Sequence, residues 1–299
     1  MIRHFRQPNI FALSLAAFLC LSGIGGLSSV RAQDAEWARD EARLTRMITS
    51  GDVEAKREAL FQIRNLRSER ASRLAVPALA DANPIVRATA AATVLFLPKN
   101  EAVTALSPLV GDKEPFVRKE AAYSLGAVVS PLAAEPLLRQ MRREKDLEVK
   151  AAIAAGLGGT GNAAAVDALE AELKRSPKEE NEFVRRSAAR AIGQIAQIIK
   201  SGDAYVVTPQ DMLPAEYKKL TGDDITVRQP AFNNAIATLT RVLQNRSETD
   251  DTRREAAYAL GAIGSQASRN VLSSYMKSDD PYLAEICREA LLKLDLPTR

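Results

Sequence analysis

The chain of 299 residues carries 41 basic and 37 acidic side chains, with 46% hydrophobic and 5% aromatic residues, one histidine and two cysteines. Its net charge of +4 does not mark a nucleic-acid binder, because Arg3, Arg6 and Arg31 precede the first acidic residue, Asp34. His4 and Cys20 fall in the same stretch, so a chain shortened by it holds 38 basic against 37 acidic residues, no histidine and one thiol, Cys287, which excludes an intramolecular disulfide.

Arg3 and Arg6 form a positive start, residues 10–21 are apolar except for Ser14, and Val30-Arg31-Ala32 offers small residues for cleavage. This pattern predicts a secretory signal peptide over residues 1–32 and an exported chain, periplasmic or secreted. A membrane anchor is the other reading, but twelve apolar residues fall short of the roughly 20 that span a bilayer. Leu19 stands before Cys20, where a lipid-modified cysteine would need a small residue. Residues 33–49 follow as half a repeat: Leu44, Met47 and Ile48 form a helical stripe suited to capping a stack, and Trp37 sits on this cap.

From residue 50 a phrase recurs: an acid, often a proline, an apolar then a basic residue, two small residues, and Leu-Gly. It is clearest from Asp112 through Pro115, Val117, Arg118, Ala121 and Ala122 to Leu125-Gly126, and returns from Arg253 to Leu260-Gly261. The basic position recurs at Lys56, Arg87, Arg118, Lys150, Arg185 and Arg253, with Ala284 in the last copy, so the steps are 31, 31, 32, 35, 68 and 31 residues. Val117, Ala121, Ala122 and Leu125 make one helical stripe, helix A, which Gly126 is expected to close; Leu132, Leu137, Leu138 and Met141 make a second, helix B. Alanine pairs let neighbouring A helices approach closely. The recurrent acid suits the start of helix A, and the basic residue is expected to pair with it or with its counterpart in the next repeat.

These residues resemble the HEAT-like repeats of the phycobilisome-lyase type, with Leu157-Gly158-Gly-Thr-Gly161 and Leu260-Gly261-Ala-Ile-Gly264 matching that pattern's turn. The resemblance covers residues 50 to 295 apart from one insertion. It implies an all-α fold, a right-handed α-solenoid of about seven two-helix repeats, with helix A outside and helix B lining the concave side. Repeats fill residues 50–199 and 230–299, the last ending in a C-terminal cap before Pro297.

The 68-residue step holds an insertion over residues 200–229, containing Tyr205, Pro209, Met212, Pro214, Tyr217 and Leu220. It reads either as a tolerated surface loop or as a partner-binding element. Gly158-Gly-Thr-Gly161 lacks the following Lys and Ser/Thr of a phosphate loop, and a helix-to-helix turn accounts for it. Asn245-Arg246-Ser247 is a glycosylation sequon, which matters only in a eukaryotic secretory route.

Three function classes remain. The sequence points first to an exported noncatalytic scaffold or adaptor without a cofactor, binding a protein through B-helix residues Arg139, Glu170 and Arg241, with Tyr205 and Tyr217 of the insertion as the competing site. The alternative is an enzyme or enzyme subunit of a HEAT-repeat family, such as the bilin lyases. The resemblance also brings in di-iron hydroxylases that depend on His-Glu pairs, which a chain without its first 32 residues cannot supply. Nucleic-acid binding comes last, since it needs a basic groove.

Overall fold

The computed structural model describes residues 37–201 and 224–295. Residues 37–50 form α1. The chain continues through α2 (Val53–Leu66), α3 (Glu69–Ala75), α4 (Pro84–Ala91), α5 (Lys99–Leu106), α6 (Pro115–Ala127), α7 (Ala134–Arg143), α8 (Leu147–Gly159), α9 (Val166–Leu173), α10 (Glu182–Ser201), α11 (Ala231–Gln244), α12 (Asp250–Ile263), α13 (Arg269–Ser274) and α14 (Pro281–Leu294). The even-numbered helices are the A helices and α3 to α13 the B helices of an all-α solenoid. The described residues include no strand. Segments 1–32 and most of the insertion, with Tyr205 and Tyr217, lie outside the described residues.

Local chemistry sets where each A helix begins. Asp52, Asn83, Asp146 and Asp280 accept hydrogen bonds from first-turn amides of α2, α4, α8 and α14. Pro84, Pro115 and Pro281 occupy the first helical position, where a missing N–H costs nothing. Each cap of this kind contributes about 1 kcal/mol.

The recurrent basic residue ties one repeat to the turn that opens the next. Lys56 donates to Asp81 at 2.6 Å, Arg87 to Asp112 at 2.7 and 2.8 Å, and Arg118 to Glu144 at 2.8 and 2.9 Å. Those carboxylates also accept turn amides, from Asn83, Glu114 and Asp146 respectively. The arginines add bonds to carbonyls left open after the B helices, Arg87 to Asp81 O and Arg118 to Asp112 O. In the sixth copy the task is divided: Arg253 reaches Leu243 O, while Arg254 takes Asp280.

The glycine of Leu-Gly does not close helix A, since α6 runs on to Ala127 and α12 to Ile263. It serves close approach. A Cβ on Gly126 would lie 2.7 Å from Gly156 Cα, and one on Gly261 would lie 2.9 Å from Ala290 Cα, so adjacent A helices touch backbone to backbone. Adjacent B helices are spaced by whole side chains, as where Thr238 of α11 donates to the Glu170 carboxylate of α9 at 2.7 Å. A stack more closely spaced along one row curves toward that row. The A helices therefore line the inner face, the reverse of the arrangement expected from the resemblance.

At the N-terminal end α1 covers the first repeat with Leu44 and Ile48, both buried. Trp37 donates to Glu41 at 2.7 Å and lies under the Arg70 guanidinium, 4.9 Å from the ring centroid. At the other end Leu291 and Leu294 are buried in α14, and Cys287 is a buried small residue whose thiol burial pushes up to about 12.

Candidate functional site

On each A helix the residues two before, and one, two and five after, the recurrent basic position share one side. This side is the inner face. It displays Phe116, Phe183 and Tyr282 at the first of these registers and Phe61 and Tyr123 at the last, five of the six exposed aromatic residues among the described ones. Between the rings runs a ladder of ion pairs linking consecutive helices: Lys119 to Glu148 at 2.9 Å, Arg186 to Asp251 at 3.0 Å, and Arg190 to Glu255 at 3.1 Å. Arg186 and Arg254 also lie over Phe183 and Tyr282, each 5.0 Å from the ring centroid.

Across α10, α12 and α14 this face sinks into a trough of about 630 Å³, walled by Arg186, Arg190, Arg254, Tyr282, Ile286 and Glu289. Glu255 lies in it, its side chain 12% exposed. Arg190 holds Oε1, whereas Oε2 is buried without a hydrogen-bond partner. Burial pushes the Glu255 carboxyl above the ordinary carboxylate range, and the attraction of Arg190 offsets only part of that. Tyr258, one turn on, is buried and donates to Gln197 at 2.8 Å, and burial raises its phenol as well. Glu120 of α6 occupies the register of Glu255 three repeats earlier; burial raises its carboxyl too, against the pull of Arg64 and Lys119. A half-buried carboxyl with one fixed and one unfilled oxygen can hold a proton and exchange it with a bound group.

The sequence-predicted residues lie elsewhere. Arg139 is on α7, exposed, and pairs with Glu135 at 2.8 Å within its own helix. Arg241 is on α11, where it donates to Thr238 at 2.9 Å. Glu170 does not point to solvent: it is 4% exposed, accepts from Thr238 and pairs with Lys174 at 3.0 Å, because its register falls in the seam between α9 and α11. These three share the outer, B-helix side and are remote in register from the trough. The sequence did carry a signal for Glu255, since Arg118-Lys-Glu120-Ala-Ala and Arg253-Arg-Glu255-Ala-Ala repeat the same acid, on the A helices and not on the B helices where the binding residues were expected.

Residues 41–126 and 73–158 match the family model of HEAT repeats, and residues 252–278 that of the PBS lyase HEAT-like repeat. Over 264 residues the chain is 28% identical to deoxyhypusine hydroxylase-B of Oryza sativa subsp. japonica, covering 79% of this chain and 86% of that one. Over 277 residues it is 24% identical to deoxyhypusine hydroxylase of Danio rerio, covering 83% and 88%. An engineered protein solved by a structural genomics consortium has the same fold, with a TM-score of 0.51 at 20% identity over 85% of this chain and 68% of that one.

The chain is thus built of HEAT repeats. The expectation of a noncatalytic scaffold is overturned, since both curated relatives are enzymes matched over most of their length. That expectation rested on the suitability of a stacked helical surface for an extended partner, and missing histidine was set only against the di-iron hydroxylases, which bears on one metal chemistry and not on catalysis as such. On that narrower point the residues are clear. His4 is the only histidine in the sequence, and the described residues contain no group of three or more His, Cys, Asp or Glu able to hold a metal. The donor set does not fit a centre built from His-Glu pairs.

Proposed function

We propose that the chain is an enzyme or enzyme subunit of the HEAT-repeat class, with its reactive group at Glu255 in the A-helix trough. The observation that carries this is the unfilled, buried Oε2 of Glu255, beside an Oε1 fixed by Arg190 and inside a cleft large enough for a substrate side chain. The two hydroxylase relatives support the enzyme class. Glu255 takes a proton from a donor bound at Oε2, or, when protonated, gives one to an acceptor there. Arg190 keeps the carboxyl turned toward the trough, and Tyr282 and Ile286 give the cleft an apolar wall.

The test is to incubate the purified chain aerobically with a deoxyhypusine-bearing peptide and read products by mass spectrometry, with Glu255→Gln alongside. A product made by the wild type and lost in the variant supports the reading. Equal turnover by Glu255→Gln refutes the assignment of this carboxyl, and an unchanged peptide in both refutes transfer of the relatives' substrate.

The reading also includes export. The charged start, apolar run and Ala32 support removal of residues 1–32. Sequencing the natural N-terminus should return Gln33, and recovery of Met1 would refute it.

A further inference from the structure

The aromatic residues and carboxylates of the inner face extend well beyond the trough. Phe61 lies on α2, Phe116 and Tyr123 on α6, Phe183 on α10 and Tyr282 on α14, so the rings mark nearly the whole length of the stack. The charges between them are not balanced in use. The cations Lys119, Arg186, Arg190 and Arg254 each already hold a carboxylate of the protein. Glu255 Oε2 has no donor, and Glu120 on the same row is attracted by Arg64 and Lys119 without a hydrogen bond to either. Glu58, on that row at α2, is exposed and accepts only from the neutral Gln62 amide. The face therefore keeps carboxylate oxygens that no cation of the protein hydrogen-bonds, at Glu58, Glu120 and Glu255, set among rings whose faces attract cations.

We infer that the inner face binds an extended peptide segment carrying lysine or arginine, part of a protein substrate whose reacting side chain enters the Glu255 trough. This rests on the reading of the trough as an enzyme's substrate site. The geometry suits an extended chain. Packed helices repeat about every 8–10 Å, and a peptide in the extended polyproline II form advances about 3.1 Å per residue with about three residues per turn, so every third side chain points to the same side and meets an equivalent register. Arg186 over Phe183 and Arg254 over Tyr282 already display, inside the protein, the contact that a bound guanidinium or ammonium would make with Phe61, Phe116 and Tyr123.

The experiment is fluorescence anisotropy with the full chain and a labelled peptide of about twelve residues bearing lysine at every third position and serine between, matching the register above. Its controls are the same peptide with glutamate for lysine and a labelled oligothymidylate. The lysine peptide should bind, more weakly as salt rises, and Phe116→Ala with Tyr123→Ala should weaken it about tenfold, the effect of losing two cation–ring contacts. Both rings are exposed, so the variant should keep the wild-type melting curve; Glu120→Lys, probing the same site by charge, should also weaken binding. Unchanged binding by both variants, or tighter binding of the glutamate peptide or the oligothymidylate, would overturn the inference. The two readings fail separately: Glu255→Gln should abolish turnover while leaving most peptide binding, and loss of the aromatic effect with turnover still dependent on Glu255 sinks only the peptide.

Discussion

Arg118 of α6 grips Glu144, twenty-six residues further on, through parallel hydrogen bonds of 2.8 and 2.9 Å, and so fastens the third repeat to the turn that opens the fourth. Glu144 is buried, and removing its partner leaves a charge in a poorly solvated place. Arg118→Ala should cost about 3 kcal/mol, the lower end for breaking a buried pair, because Gln140 and the Asp146 amide still serve the carboxylate. Urea unfolding measures it, and replacing both partners, Arg118→Met with Glu144→Leu, should recover most of the loss.

The same ladder fixes a response to acid. Burial raises the carboxyls of Asp81, Asp112, Glu144 and Asp280, but their Lys or Arg partners and the turn amides outweigh it, so all four titrate below their ordinary values of 3.8 or 4.5. Groups with depressed pKa stabilise the fold above the unfolded-state value and lose that contribution as pH falls through the folded one. Glu120 and Glu255 are raised, so their sign is opposite: the folded state binds their protons more tightly, and stability falls as pH rises through their folded values. Melting curves taken across this range should show acid unfolding below the ordinary carboxylate values. Glu255→Gln should flatten the decline on the higher-pH side without moving the acid limb.

The period of about 32 residues made the fold legible, because each repeat uses the same small residues, acid and base for the same contacts. The basic residue's partner in the next repeat was readable for that reason too. Which side of the stack is concave was not, since curvature depends on how closely two rows of helices approach, and Gly126 reads equally well as a helix stop or as a contact until Gly156 is seen against it. Glu170 and Glu255 illustrate the limit for the site. Both are glutamates on amphipathic helices, and only the neighbouring helix decides that Thr238 bonds one while the other keeps a buried oxygen without a hydrogen-bond partner beside a trough.

Gly156 should resist substitution. A Cβ there would run into the Ala122 carbonyl of α6, which belongs to a packed helix and cannot step aside. Gly156→Val should therefore destabilise the chain by about 2–3 kcal/mol, as overpacking does. Gly111, at the end of a B segment with open space around its Cα, is the control, and Gly111→Ala should stay within about 0.5 kcal/mol in the same thermal assay.

Registry across the insertion is set by residues outside residues 202–223. Arg185 of α10 pairs with Glu248 just before α12, both almost fully buried, and also donates to Leu173 O at 2.9 Å. Arg190 reaches Glu255 and Tyr258 reaches Gln197, so α10 and α12 are joined along their length. Replacing residues 203–222 by a short Gly/Ser linker should leave the melting temperature within a few degrees, since loop length changes closure entropy only by about 0.6 kcal/mol per doubling. Arg185→Met is the contrasting variant: it strands Glu248 in the interior and should cost about 3–5 kcal/mol. Differential scanning calorimetry of the two proteins decides the matter. Collapse of the linker variant with tolerance of Arg185→Met would mean that the inserted segment, and not the buried pair, holds the two halves of the solenoid in register.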